Sequence, residues 1–302
     1  MPEGDTIYRT ARTLNQALAG RIVVAFETGL AKLARANDDT PLVGRTVERV
    51  ESRGKWCLMH FSAGANGEQP LILVTHMRMN GSWHLYRTGE RWQRPRSDMR
   101  VVVRTDAYEA VAFNVPVAEF HTARSLERTE VPKLGPDVLR GEFTAQTGVA
   151  RLEAYAREHP EAEVGVMLLN QRVLAGLGNV YKSEVAFAAR VNPWRPVSTL
   201  TRAEMERLVE FAMRYMQANV RPGKGDGIIT YTGPRRTTHG TNPDDRNWVY
   251  RRSGQECRRC GTSILMRKQG EQARSTYWCP ECQLPIYATI ADDHASERGG
   301  NR

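Results

Sequence analysis

Four of the five cysteines fall in two C-x2-C pairs, Cys257-Arg-Arg-Cys260 and Cys279-Pro-Glu-Cys282, with eighteen residues between the pairs. Two such knuckles can set four thiolates around a Zn²⁺ ion, and the spacer suits a β-hairpin. Four sulfur ligands close the tetrahedral shell and leave no position for water, so one structural zinc is expected, holding shape and performing no chemistry. A segment this small does not fold without its metal. The fifth thiol, Cys57, sits in the apolar run Trp56–Met59 and reads as a buried core residue.

The chain around the thiols is basic. Between Arg246 and Cys282 eight Lys and Arg residues face three acidic ones, so more than half of the whole chain's net charge of +9 lies in one short segment. That distribution reads either as a nucleic-acid contact surface or as a solvated basic face. An odd cysteine count, with four clustered, argues against a disulfide scaffold.

These residues need elements to hold them. At 302 residues, 40% hydrophobic and 25% charged, the chain has length for about two domains and enough apolar content for a core, which excludes wholesale disorder, collagen and rod-like coiled coils. The apolar stretches Leu71–Val74 and Val164–Leu169 fall far short of the roughly 18 residues of a membrane span. Glu3 and Asp5 stand where a secretion leader would be basic and then apolar, so a cytoplasmic, nucleoid-associated protein is expected.

Ile7, Ala11, Leu14 and Leu18 share one helical face, and Gly20 supplies a stop. Short β-branched or aromatic runs follow at Ile22–Phe26, Val47–Glu51, Trp56–Phe61, Leu71–Thr75, Ser82–Tyr86, Arg100–Arg104 and Tyr108–Phe113, a spacing that predicts an antiparallel sandwich or barrel. After Gly135-Pro136-Asp137 the pattern turns helical, over Phe143–Arg157, Glu163–Gln171, Asn179–Ala189 and Arg202–Val220. Thr201 and Glu204 form a capping box ahead of the last helix, whose Met205, Leu208, Val209, Ala212 and Met216 make one apolar stripe. Residues 222–245 are rich in Gly, Thr, Pro and Arg without a period, which reads as a functional loop or a linker.

The start Met1-Pro2-Glu3-Gly4-Asp5, the Arg53-Gly54-Lys55 before a strand, the Leu177-Gly178-Asn179 turn and the four-cysteine finger, in this order from residue 2 to about 285, together resemble the formamidopyrimidine-DNA glycosylase / endonuclease VIII family. The resemblance implies an α+β multidomain fold. An N-terminal antiparallel β-sandwich with a flanking helix would span residues 1–135, a helix-two-turn-helix domain 136–245, the zinc finger 246–290 and a disordered tail 291–302. It further implies a monomeric, bifunctional DNA glycosylase and AP lyase of base-excision repair, acting on damaged double-stranded DNA, with no soluble small-molecule cofactor and no membrane.

By this resemblance Pro2 is the nucleophile. With Met1 removed it presents a secondary amine, a type with an unperturbed pKa of roughly 8, so a useful fraction is neutral at pH 7. Attack on sugar C1′ as the base departs gives an iminium that is charged without further protonation, and that charge acidifies the C2′ proton for strand scission. Glu3 is the acid/base that helps open the sugar. Lys55 binds a flanking phosphate and assists β-elimination, and Arg274, in Ala273-Arg274-Ser275-Thr276, grips phosphates and supports δ-elimination. Asn179 offers a helix N-terminus and an amide to phosphate, and Lys133 is a basic DNA contact.

His76-Met77-Arg78-Met79-Asn80-Gly81 matches the loop that fills the hole left by an everted base, with Met79 as the wedge, Arg78 facing the orphaned partner base and His76 alongside as a DNA contact. Two departures matter. Thr6 stands where many family members have a carboxylate, and around Tyr108–Pro116 there is no counterpart of the Arg-x-Phe insertion of the 8-oxoguanine branch. The second, with Gly4, favours the endonuclease VIII-like branch and oxidised pyrimidines; oxidised purines, or a non-catalytic damaged-DNA binder of the same fold, are the alternatives.

Overall fold

A computed structural model describes residues 2–220 and 247–285. The expectations for the 222–245 loop and the 291–302 tail lie outside the described residues. The chain divides into two compact units, one made of residues 2–139 and one of 140–219 with 247–285.

The first unit opens with α1 (Gly4–Leu18), whose Ile7, Ala11, Leu14 and Leu18 are all buried, as their helical spacing predicts. Then come β1 (Ala25–Thr28), α2 (Ala31–Asp39), β2 (Val47–Arg53), β3 (Trp56–Phe61), β4 (Leu71–His76), β5 (Ser82–Arg87), β6 (Met99–Arg104), β7 (Tyr108–Phe113), β8 (Val117–His121) and the short α3 (Ala123–Leu126). The strands form two four-stranded sheets of order β1-β6-β7-β5 and β2-β3-β4-β8, every pairing antiparallel. Alternate residues of both sheets, among them Met59, Phe61, Leu73, Trp83, Val101 and Ala112, share one core with the buried face of α1. That is the strand periodicity of a sandwich. The outer faces carry smaller apolar clusters, one around Leu58, Ile72 and Val131 and one around Tyr86, Val111 and Phe113.

The strand expected at Ile22–Phe26 is displaced to β1. The Gly20 and Val23 amides bond the Val47 and Arg45 carbonyls, whereas the Val24 amide bonds that of Arg104. The chain thus crosses from one sheet edge to the other before it pairs with β6, leaving Ile22 and Val24 about half exposed at 56% and 50%. Neither α2 nor β8 was expected. Leu33 is the one buried residue of α2, so it has no stripe to read.

The second unit contains α4 (Ala145–Glu158), α5 (Val164–Leu169), α6 (Asn179–Ala188), α7 (Arg202–Val220) and a hairpin of β9 (Leu265–Gln269) and β10 (Arg274–Trp278). The α7 stripe, Met205, Leu208, Val209, Ala212 and Met216, is buried, and the Thr201–Glu204 box is closed in both directions at 2.8 and 3.2 Å. Every residue of α6 is buried. Phe187 of α6 shares a core with Val249, Ile264, Cys257 and Cys279, so the hairpin segment completes its apolar packing on this helix.

Candidate functional site

Pro2 lies half-buried directly ahead of α1, and Glu3 occupies the helix N-cap in extended conformation. The Glu3 carbonyl accepts the Ile7 amide at 3.1 Å, while its carboxylate, wholly buried, makes no capping bond. Pro2 and Glu3 thus stand together at the positive end of α1. Thr6 Oγ1 reaches the buried Asp5 carboxylate at 3.4 Å.

In the same unit, the Arg53–Trp56 pair closes a two-residue hairpin turn that presents Lys55 at its tip. Its first position, Gly54, has φ +56, the left-handed geometry such turns demand. The buried Asp137 carboxylate accepts the Gly54 amide on Oδ2 at 2.7 Å and the Leu139 amide on Oδ1 at 2.9 Å. Sequence reasoning saw Asp137 only as part of a chain break, and its partnership across the unit has no local signature.

The 76–81 loop leaves β4 with its two methionines divided. Met77 is 1% exposed and packs in the sandwich core, whereas Met79 is 55% exposed at the loop tip. The Gly81 amide returns to the Met77 carbonyl at 2.9 Å, and a Cβ on Gly81 would lie 2.5 Å from that oxygen, so only glycine closes this turn. His76 Nδ1 accepts the Arg78 amide at 3.0 Å. Burial first, then the charges of Arg78 and Lys55, push the imidazole down to about 4. Lys133, on the same unit, forms an exposed ion pair with Glu130 at 2.8 Å.

In the second unit Gln171 pins the turn before α6. Its amide nitrogen donates to the Leu169 and Leu177 carbonyls, both at 2.8 Å, and its oxygen accepts the Gly176 amide at 3.1 Å. Gly178 is the N-cap of α6, and Asn179, its first residue, is buried with Oδ1 lacking a hydrogen-bond partner among the described residues. A buried amide oxygen without a hydrogen-bond partner at a helix N-terminus marks a polar position beside the helix-end N–H groups that can receive an anion.

Two charged residues inside α6 were missed as site-building groups. Lys182, wholly buried, donates to Thr276 Oγ1 at 2.6 Å and the Ser275 carbonyl at 3.2 Å, directly after Arg274 in β10. The Thr276 hydroxyl in turn donates to Gln269 Oε1 at 2.7 Å, and Gln269 Nε2 donates to Glu163 Oε2 at 2.9 Å. Glu184 accepts the amides of Trp248, Val249 and Tyr250 at 2.8, 2.9 and 2.8 Å. Charge at positions 182 and 184 inside an otherwise apolar helix was the available signal. Arg274 opens β10 with its guanidinium bonded to Gln272 Oε1 at 3.0 and 3.2 Å. It borders a cavity of about 540 Å³ walled by Asn170 and Gln171 on one side and Gly270 and Gln272 on the other.

The four sulfurs of Cys257, Cys260, Cys279 and Cys282 lie within 4.8 Å of one another, with separations such as 3.9, 3.4 and 3.5 Å. Sulfurs about 2.3 Å from a tetrahedral ion stand about 3.8 Å apart, so the cluster fits a metal ion. Cys57 is in another class: buried in the sandwich core, its thiol is pushed up to about 12 by burial, which leaves it inert.

The comparisons with known proteins cover the same elements. A family profile described as the formamidopyrimidine-DNA glycosylase N-terminal domain matches residues 1–117, and one described as the H2TH domain of that glycosylase matches 134–231. The chain is 37% identical over 287 residues to "Probable endonuclease 8 2" of Streptomyces coelicolor, covering 94% of each chain. It is 32% identical over 284 residues to "DNA-(apurinic or apyrimidinic site) lyase Nei2" of Mycolicibacterium smegmatis, covering 94% of this chain and 99% of that one. Among solved structures, the Lactococcus lactis Fpg bound to abasic-site DNA superposes with a TM-score of 0.73 at 21% identity, over 94% of this chain and all of the other.

Proposed function

The chain belongs to the formamidopyrimidine-DNA glycosylase / endonuclease VIII family, and from that premise we propose that it excises oxidised bases from duplex DNA, preferring pyrimidines, and cleaves the resulting abasic site through its proline. The family chemistry is bifunctional: base removal and AP-lyase scission on one protein. The observation that carries the assignment to these residues is the Pro2-Glu3 pair at the positive end of α1, with a wholly buried carboxylate that does not cap the helix.

The steps follow from the groups. After loss of Met1, the neutral Pro2 nitrogen bonds to C1′ as the C1′–N bond to the base breaks and its N–H proton leaves with the base; Glu3 then delivers a proton to O4′, opening the sugar ring and leaving the C1′=N iminium. The cationic iminium acidifies C2′; loss of that proton and departure of the 3′ phosphate complete β-elimination, and loss of the 5′ phosphate completes δ-elimination. Lys55, held on the Gly54 turn, neutralises a flanking phosphate as a point charge, while the Arg274 guanidinium takes phosphate oxygens in its fork. Asn179 and the α6 N-terminus hold another phosphate, Lys133 adds charge to the approach, and Met79 fills the vacated stack with Arg78 beside it.

The four thiolates of Cys257, Cys260, Cys279 and Cys282 would hold one Zn²⁺, which would keep the β9–β10 hairpin folded against α6 and supply structure, not bond breaking. The pyrimidine preference rests on two observations. The β7–β8 connection is Asn114-Val115-Pro116, with neither the Arg nor the Phe of an Arg-x-Phe element, and relatives such as the Streptomyces protein carry the endonuclease 8 name. A lesion panel tests this reading. Duplexes with thymine glycol, dihydrouracil or 5-hydroxycytosine should be cut faster than one with 8-oxoguanine, and the reverse order would assign the purine branch. Affinity should also fall steeply with salt as phosphate contacts release counterions; a flat response would contradict DNA binding altogether.

A further inference from the structure

We propose that His76 is a positioning residue: by accepting the Arg78 amide, its Nδ1 fixes the backbone turn that aims Met79 outward, so that the wedge is formed before DNA arrives. The inference rests on the wedge assignment above and deepens it. Arg78 has φ +51, a left-handed conformation that a residue with a Cβ adopts only when its surroundings hold it there. Two hydrogen bonds join residues of this loop at short range. The Gly81 amide on the Met77 carbonyl closes its base, and the Arg78 amide on His76 Nδ1 sets its tip. Closing the base alone leaves residues 78–80 free to turn about it, so the direction of Met79 depends on the second bond.

The ring that supplies this acceptor is itself held. His76 is the last residue of β4, pairs across the sheet with Trp56, and meets the indole edge-on at 4.7 Å between centroids. Trp56 follows Lys55 directly, so one aromatic contact braces both the wedge loop and the turn that presents the lysine. Burial, and after it the positive charges of Arg78 and Lys55, keeps the ring neutral, and the Arg78 amide on Nδ1 puts the proton on Nε2. A wedge ordered in advance does not pay the entropy of ordering when it enters the base stack.

Two variants separate positioning from mere packing. His76→Asn places an amide oxygen near the Nδ1 position, and His76→Phe keeps a ring against Trp56 without an acceptor. Single-turnover cleavage is compared between a lesion in duplex DNA, where a stack must be filled, and the same lesion in a single strand, where none exists. The duplex-to-single-strand ratio should fall roughly tenfold in the Phe variant and stay within about twofold of the native ratio in the Asn variant. Hydrogen exchange of the Arg78 amide, which stands whichever strand form is cut, should be slow in the native protein and the Asn variant and fast in the Phe variant, and ¹⁵N spectra of the imidazole should show the Nε2–H tautomer. An unprotected Arg78 amide in the native protein, a native ratio in the Phe variant, or equal losses in both would overturn the inference. A native protein that cuts neither DNA would instead refute the glycosylase reading, while the exchange data still report on the clip.

Discussion

The backbone amide of Gly54 donates to the Asp137 carboxylate at 2.7 Å across 83 residues of sequence, and that bond holds the turn on which Lys55 stands. Its partner oxygen takes the Leu139 amide at 2.9 Å, so both carboxylate oxygens accept backbone donors in a buried site. A charge-assisted bond of this kind positions a turn more firmly than the hairpin ladder alone.

Asp137→Asn retains one carbonyl oxygen for two amides, and Asp137→Ala retains none. Leaving such donors unmet costs about 1–3 kcal/mol each. The Asn variant should slow single-turnover β-elimination at an abasic site by about tenfold, equivalent to about 1.4 kcal/mol, and the Ala variant by more. DNA affinity should change far less than the rate. Unaltered elimination in both variants would show that Lys55 does not depend on this clamp.

Glu184 gathers three consecutive amides, those of Trp248, Val249 and Tyr250, where the chain enters the finger segment. Glu184→Gln turns one acceptor oxygen into a donor that faces another donor. The thermal transition of the second unit should drop by roughly 5 °C or more, read by circular dichroism at matched zinc content. A transition within about 1 °C of the native one would mean that other groups organise this segment.

His84 gives a pH signature. Its ring nitrogens bond Ser82 Oγ at 3.0 Å and Tyr86 Oη at 2.9 Å. Burial, with Arg94 second, pushes it from the ordinary 6.5 down to about 4. Below the ordinary value the unfolded chain takes up a proton that the folded protein refuses, so this stability is whole above about pH 6.5 and drains away towards pH 4. His76 acts in the same direction. Glu119 and Glu204, whose pKa values are lowered from 4.5, lose their contribution only below that. Between pH 7.5 and 5 the melting temperature should therefore fall, and His84→Gln should flatten the slope; parallel curves would contradict the assignment.

Removing one zinc ligand tests the finger. Cys279→Ser should take the metal content from one zinc per chain to near none and weaken duplex binding by about tenfold or more, because the core around Phe187, Val249 and Ile264 loses its clasp. A variant that binds DNA at native strength without zinc would place the contact surface elsewhere.

Elements that repeat a local period were legible in the sequence. The α1 stripe of Ile7, Ala11, Leu14 and Leu18 and the α7 stripe around Leu208 are buried because burial itself imposes the spacing. The cysteine quartet converges because two knuckles on a hairpin have few other arrangements. Features that depend on distant partners were not legible. Val23 and Val24 bond to different sheet edges, which shifts β1 towards Thr28. Asp137 acts on Gly54, and Lys182 on Thr276, through contacts that no local pattern encodes. Met79 was named as the wedge by resemblance, and the closure at Gly81 supplies the physical reason that no local pattern gives: it sets Met77 in the core and leaves Met79 exposed.

Borohydride trapping with peptide mapping goes directly to the covalent step. Incubated with a duplex carrying thymine glycol or an abasic site and then reduced, the protein should form one stable DNA adduct, and mass spectrometry should locate the sugar remnant on the nitrogen of Pro2 in a chain that has lost Met1. An active preparation that retains Met1 or an acyl cap, or an adduct mapped to Lys55, would contradict the proline mechanism.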